Sequence, residues 1–147
     1  MDAIKFILRE HRKIRATFKK VKQKKTIEAK KKLFMALCQY LVMHETMEHQ
    51  RWYPHFKNNK LVAKIVKGRL AEEKQAASVI KQFKKDKFSD AMWQKKFIAF
   101  NKAVDNHASH EEKFLFPKVR KILDKSELSQ IGKKLQAFKK ARNKTGL

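Results

Sequence analysis

Two histidine–glutamate pairs have the residue types and the spacing of metal ligands. His44 precedes Glu48 by four residues, and His107 precedes Glu111 by the same interval. Side chains four residues apart lie on the same side of a helix, about one turn from each other. Imidazoles supply terminal nitrogen ligands to transition metals, whereas carboxylates can bridge two cations. We therefore predict that these four side chains converge on a metal site.

The pairs recur within a longer internal repeat. A shift of 63 residues places His44 on His107 and Glu48 on Glu111. The same shift aligns capping residues, apolar positions and both prolines of the chain: Thr26 with Ser89, Phe34 with Phe97, Leu41 with Val104, and Pro54 with Pro117. The repeat predicts two related helical hairpins. The alternative, that the pairs only stabilise helices at a partly hydrated interface, leaves buried polar groups unpaired among apolar neighbours.

Apolar residues at helical spacing predict the elements that position these pairs. Four long helices are expected at about 2–25, 26–54, 60–85 and 89–117, with a bend at Pro117, and a short fifth helix at about 126–142 that packs across one end. The prediction is one all-α domain over 1–147, with an up-down-up-down four-helix bundle at about 2–123. His11 lies on the apolar side of the first helix, between Ile7 and Ile14, and joins the predicted ligands.

The net charge of +24 is the strongest feature of the composition. A positive field of this size attracts nucleic acid or an acidic partner. However, lysine outnumbers arginine and the basic residues are spread over every helix, so a solvated lysine coat is the preferred interpretation. The chain has a single cysteine, no signal-peptide pattern and no apolar stretch long enough to span a membrane. These features predict a cytoplasmic protein.

Three segments together resemble the hemerythrin-like (HHE cation-binding) family: EHR at 10–12, HETMEHQRWYP at 44–54 and HASHEEKFLFP at 107–117. The resemblance covers about 2–123. It implies a non-haem di-iron centre that binds dioxygen or another small oxidant, or that senses iron, oxygen or redox state. By motif, the terminal ligands would be His11, His44 and His107, the bridging ligands would be Glu48 and Glu111, and Glu45 matches a position that ligates iron in some members. No separate general acid or nucleophile stands out, so we expect metal or oxygen binding without enzymatic activity.

The third helix departs from the family pattern. A further histidine is expected there, and the shift of 63 residues places His11 on Lys74, with Ser78 one turn later. A di-iron site could persist with Glu73, His110 or water in the vacated positions. Alternatively, a single metal remains and the Lys74 ammonium replaces the charge of the second, or the site is degenerate. Our hypothesis is that Lys74 weakens the nearer metal position. The alternative function is a basic helical module that binds nucleic acid or another polyanion and retains a vestigial metal site.

Overall fold

The computed structural model describes all residues, 1–147, and consists of helices without strands. The helices are α1 (Ala3–Gln23), α2 (Ile27–Arg51), α3 (Ala63–Lys85), α4 (Asp90–His110), α5 (Phe116–Ile122) and α6 (Lys125–Arg142). A 3₁₀ turn at Tyr53–His55 follows α2, and a π-helical turn at Glu111–Leu115 joins α4 to α5. The all-α prediction is confirmed.

Polar side chains begin the long helices at the positions expected from the sequence. The Asp2 side chain accepts a hydrogen bond from the Lys5 amide at 2.8 Å, and Thr26 accepts one from Ala29 at 3.1 Å. Ser89 does the same for the Met92 amide at the start of α4. Such caps satisfy amides that have no partner within the helix, so each fixes the residue at which the helix starts. α3 lacks a side-chain cap and begins at Ala63, slightly later than predicted.

α6 begins just before its predicted start at about residue 126. Asp124 accepts from the Glu127 amide, and the Glu127 side chain accepts from the Asp124 amide. This reciprocal pair is a capping box, which satisfies two amides at once. Because Asp124 is the cap, α6 starts at Lys125, one residue before the predicted start, and extends over 18 residues.

The prediction that the last helix packs across one end of the bundle is wrong. α6 lies alongside α1 and α2. Near its middle Gly132 contacts the backbone of Met1 and Ala3, and near its end Lys139 reaches Glu10. The helix buries one apolar stripe at helical spacing, formed by Leu128, Ile131, Leu135 and Phe138. This stripe runs along the helix axis, so α6 buries it by lying lengthwise against the bundle.

Aromatic side chains form two layers in the core. Around Phe34, which is fully buried, lie the rings of Phe18, Phe83, Trp93, Phe97 and Phe100. A second group joins the end of α2 to α5, where Trp52 packs edge-on against Phe56 at 4.8 Å and also contacts Phe116. Edge-to-face aromatic pairs add to the free energy gained by burial. Polar side chains between these layers are therefore held by well-packed surroundings.

The π-helical turn alters the fourth long helix just before Pro117. The Phe116 amide donates to the Glu111 carbonyl, one residue further back than in an α-helix. The sequence predicted a bend at Pro117, and the observed irregularity is this wider turn, which ends at Leu115. Single π turns of this kind occur often at functional sites.

No helix of the chain has the length and apolar composition required to cross a membrane.

Candidate metal centre

The five predicted metal ligands converge in the interior of the bundle. We call them the ligand cluster: His11 from α1, His44 and Glu48 from α2, His107 from α4 and Glu111 from the π-helical turn. Glu111 Oε1 lies 3.5 Å from His11 Nε2 and 3.4 Å from His107 Nε2. His44 Nε2 lies 3.2 Å from Glu48 Oε1, and the His11 and His44 ring centroids are 6.0 Å apart.

Several buried polar atoms of the ligand cluster make no hydrogen bond within the protein. Glu48 is fully buried, and neither of its carboxylate oxygens has a hydrogen-bond partner. The same holds for Glu111 Oε1 and His107 Nε2. Donor atoms of these three residues lie within 4.8 Å of one another. Burial of an unpaired carboxylate costs several kcal/mol, and a cation among these atoms would offset that cost. The donor set therefore fits a metal.

On the α1 side, Glu112 and Arg15 orient His11. His11 Nδ1 and Glu112 Oε2 form a hydrogen bond of 2.7 Å, and Arg15 Nη1 donates to the same carboxylate oxygen at 2.9 Å. A carboxylate on one ring nitrogen fixes the tautomer and leaves the other nitrogen free to bind a metal. In this case the free nitrogen is Nε2, which faces Glu111.

The α4 side repeats this arrangement with different residues. His107 Nδ1 and Glu72 Oε2 form a hydrogen bond of 2.8 Å, and Arg69 Nη2 donates to Glu72 Oε1 at 2.8 Å. Both imidazoles thus direct Nε2 toward Glu111 and are held from behind by a carboxylate that an arginine binds. Sequence reasoning missed both carboxylate–arginine pairs. In the sequence, the only indication of these pairs is spacing: Arg15 lies four residues after His11, and Arg69 lies four residues before Glu73.

Glu73 of α3, which one of the alternatives named, lies beside the ligand cluster. Its side chain is 3% exposed, and Oε2 lies 3.3 Å from His107 Nε2. His49 Nε2 lies 2.7 Å from Glu73 Oε1. The Tyr53 hydroxyl donates to Glu111 Oε2 at 3.2 Å and lies 3.4 Å from Glu73 Oε2. Neither His49 nor Tyr53 was among the predicted site residues.

The two remaining lower-ranked ligands have different surroundings. Glu45 is half-buried and lines the cavity beside the ligand cluster. Burial and the nearby Glu73 carboxylate raise the pKa of Glu45 to about 8. The His110 ring instead packs on Phe114 at 4.6 Å and does not line that cavity. The structure therefore places Glu45 at the edge of the site and His110 away from it.

Lys74 is exposed and does not line the cavity. The inward residue of this turn of α3 is Glu73, so we correct the prediction of an ammonium group beside the second metal position. Adjacent residues of a helix point about 100° apart, because an α-helix has 3.6 residues per turn. His11 is buried in the bundle interior, and Glu10 is buried because α6 packs on its side of α1. No corresponding helix covers Lys74 on α3. The internal repeat therefore does not predict which side of α3 faces the interior of the bundle.

Charges within the site compensate one another. Burial lowers the pKa of His44 and His107, but neighbouring carboxylates outweigh burial and raise these values to about 9 and about 10, respectively. Burial raises the pKa of Glu73, yet the nearby imidazoles of His107 and His49 outweigh burial and lower it to about 2. Imidazolium groups therefore balance the carboxylates when no cation is bound. A metal has to displace these protons, because only a neutral imidazole is a ligand.

A cavity of about 490 Å³ extends from the ligand cluster toward the first aromatic layer. Its apolar lining includes Ile14, Phe18, Leu41, Val79 and Phe100. Exposed residues of α3 and α4, such as Gln75, Gln82, Ala99 and Ala103, also line it, so the cavity opens between these helices. The arrangement gives the metal position an apolar approach from solvent.

Comparison with known proteins identifies a family for the chain. A family model described as the hemerythrin HHE cation binding domain matches residues 2–119. No curated protein and no solved structure matches the chain significantly. The matched segment begins at the cap of α1 and ends within α5, so it includes every residue of the ligand cluster and leaves α6 outside.

Proposed function

Because the chain belongs to the hemerythrin HHE cation-binding domain family, we propose that it binds two iron ions and uses them to bind or sense dioxygen, another small oxidant, or the redox state. The observation that carries this proposal is the pair of buried carboxylates, Glu48 and Glu111, whose unpartnered oxygens lie beside the histidines. His11, His44 and His107 would be terminal ligands, with both carboxylates bridging. When bound, an iron pair supplies reversible redox chemistry and an open coordination position.

The surrounding residues prepare this site. Glu112 and Glu72 orient two of the imidazoles, and the Tyr53 hydroxyl holds Glu111. The second aromatic layer, with Phe116 stacked on the His11 ring, excludes water from one side. The apolar cavity suits a small uncharged molecule. No further group is placed as a general acid or nucleophile in this scheme, so we propose binding or sensing rather than catalysis.

The proposed bundle order is up-down-up-down for the four long helices. α2 packs against α1 and α3, and α4 packs against α3 and α1. Short connections between consecutive helices favour antiparallel neighbours. We also propose a reducing compartment such as the cytoplasm, because a single cysteine, Cys38, cannot form an internal disulfide. Cys38 is buried, and burial raises the pKa of its thiol to about 12. A thiol of this kind is inert.

The test is iron binding by the purified chain. Metal-free protein is incubated anaerobically with ferrous iron, excess metal is removed, and iron is measured by mass spectrometry together with the absorption spectrum. We expect about two iron ions per chain and near-ultraviolet charge-transfer bands after oxidation. Glu48→Gln should remove most of the iron, whereas Lys74→His should leave the iron content unchanged because that side chain is exposed. Absence of iron after this treatment would overturn the proposal.

The net charge of +24 favours a second candidate function, the binding of a polyanion. Lys140 of α6 and Arg9 of α1 line a shallow groove, and Lys133 and Lys134 are exposed on the same helix as Lys140. Binding of duplex DNA should then weaken steeply as salt increases, because phosphate contacts release counterions. Fluorescence anisotropy at several salt concentrations measures this slope. If metal-loaded protein fails to bind DNA even at low salt, the second candidate is excluded.

A further inference from the structure

The α1 and α2 side of the ligand cluster is rich in nitrogen. His11 and His44 are both buried there, with ring centroids 6.0 Å apart. Each imidazole faces one of the central carboxylates, His11 facing Glu111 and His44 facing Glu48. A cation in this position would have two imidazole ligands in addition to the shared carboxylates.

The α3 and α4 side is rich in oxygen. His107 is the only imidazole of the ligand cluster there, and its Nε2 lies 3.3 Å from Glu73 Oε2 and 3.4 Å from Glu111 Oε1. Two ligands on one cation, with bonds of about 2.1 Å at octahedral or tetrahedral angles, are separated by about 3.0–3.4 Å. The observed separations match those of ligands around a single ion. This position therefore has one nitrogen ligand and carboxylates from three elements: Glu48, Glu73 and Glu111.

Glu73 is built into this position. It is 3% exposed, no lysine or arginine pairs with it, and Oε1 is held by His49 at 2.7 Å. The Tyr53 hydroxyl adds a weaker contact with Oε2 at 3.4 Å. A carboxylate oriented by these neighbours presents an oxygen to the interior where the family pattern led us to expect a nitrogen.

Resting on the proposed function, we propose that the two cation positions select different metals. The nitrogen-rich position, with His11 and His44, takes ferrous iron, and the oxygen-rich position, with Glu73 and His107, takes a harder divalent cation of the manganese class. The reason is ligand chemistry: imidazole suits iron, whereas carboxylate and water suit manganese and magnesium. The intrinsic affinities of divalent metals follow one common order at most sites. A protein therefore selects between metals through the geometry and the ligand types of the site. The chain is thus a mixed-metal protein when both metals are available.

The experiment offers both metals to metal-free protein. Equal concentrations of ferrous iron and manganous ions are added anaerobically, total metal is measured by mass spectrometry, and crystals are measured at the iron and manganese absorption edges. We expect iron to predominate beside His11 and His44. The manganese-to-iron ratio beside Glu73 should be several-fold higher than the ratio beside His11 and His44. Glu73→His introduces an imidazole at that position and should lower the manganese-to-iron ratio several-fold. Lys74→His is the matched control, since it adds the same imidazole on the exposed face and should leave the ratio unchanged.

Two further outcomes separate this inference from the proposed function. Equal manganese-to-iron ratios at both positions, with no effect of Glu73→His, would overturn the inference while leaving metal binding intact. A failure of the wild-type chain to bind either metal would overturn both. If Glu73→His does not fold, as judged by circular dichroism, Glu73→Gln serves instead. That variant should lose the manganese and keep about one iron per chain, whereas unchanged manganese would contradict the inference.

Discussion

The Glu112 carboxylate binds the ring of His11 from the side opposite the ligand cluster, and Arg15 holds that carboxylate in place. Glu112→Gln should leave the fold intact but lower metal affinity by about 10- to 100-fold, because the amide is a weaker partner for the imidazole. Competition with a chromophoric chelator measures the change.

Asp105→Asn provides the matched control for this effect. Asp105 also accepts from Arg15, at 2.7 Å, but it lies at the exposed end of the network and does not contact His11. Its substitution should change metal affinity by less than about twofold, because exposed ion pairs contribute little. An equal loss in both variants would indicate that the charge of the network matters rather than the orientation of His11.

At the scale of single elements, α6 is attached to the bundle through a partly buried polar contact as well as its apolar stripe. Lys139 Nζ donates to Glu10 Oε2 at 3.1 Å, and the Tyr40 hydroxyl donates to the same oxygen. Lys139→Ala should lower the free energy of unfolding by about 1–3 kcal/mol, because it leaves the buried Glu10 carboxylate with fewer partners. Urea denaturation of metal-free protein measures this. Lys140→Ala, at an exposed position, should change it by less than about 0.5 kcal/mol.

The contact between α6 and the start of α1 has no room for a side chain at Gly132. A Cβ atom there would overlap the carbonyl oxygen of Met1 and crowd the backbone of Ala3. Gly132→Ala should therefore destabilise the chain by about 1–3 kcal/mol. The control is Gly68→Ala in α3, where a Cβ atom meets nothing within 4 Å. That change should stabilise the protein by about 0.5–1 kcal/mol through helix propensity. Destabilisation in both variants, measured by urea denaturation, would count against the close approach.

Local spacing was sufficient to predict the features that depend on a single helix. The caps at Asp2, Thr26 and Ser89, and the shared side of each histidine–glutamate pair, follow from one turn of chain. The rotation of a helix about its own axis does not, because it depends on what covers each face. The repeat could not foresee that α6 packs on α1 and α2 while no such helix packs on α3, and it therefore assigned Lys74 to the interior in place of Glu73. His49 was missed for the same reason, since its partner Glu73 lies on another helix.

At the scale of the whole molecule, metal and protons compete for one buried set of charges. Metal at about 100 times its dissociation constant should add roughly 2.7 kcal/mol to the free energy of unfolding, which raises Tm by roughly 5–10 °C. Folded-state pKa values of about 9 for His44 and about 10 for His107 mean that each ring holds a proton below these values in metal-free protein. The metal-induced gain should therefore shrink as pH falls from 9 to 6.

Thermal unfolding at several pH values, with and without ferrous iron, measures this competition under anaerobic conditions. Glu48→Gln is the control, because loss of a central ligand should remove the metal-induced rise at every pH. A rise that grows as the pH is lowered would contradict the competition between metal and protons.

The π-helical turn at Glu111–Leu115 makes the ligand cluster sensitive to insertion and deletion. One extra residue is accommodated in this turn, and it lets Glu111 point toward the ligand cluster while Phe116 and Val119 of α5 remain in the core. Deletion of the exposed Lys113 would join α4 and α5 as one regular helix and rotate one side against the other by about 100°. If the core keeps α5 in place, His107 and Glu111 turn away. A relative that lacks this single residue would therefore retain the bundle and lose the metal, which makes the length of this turn a marker of function among related sequences.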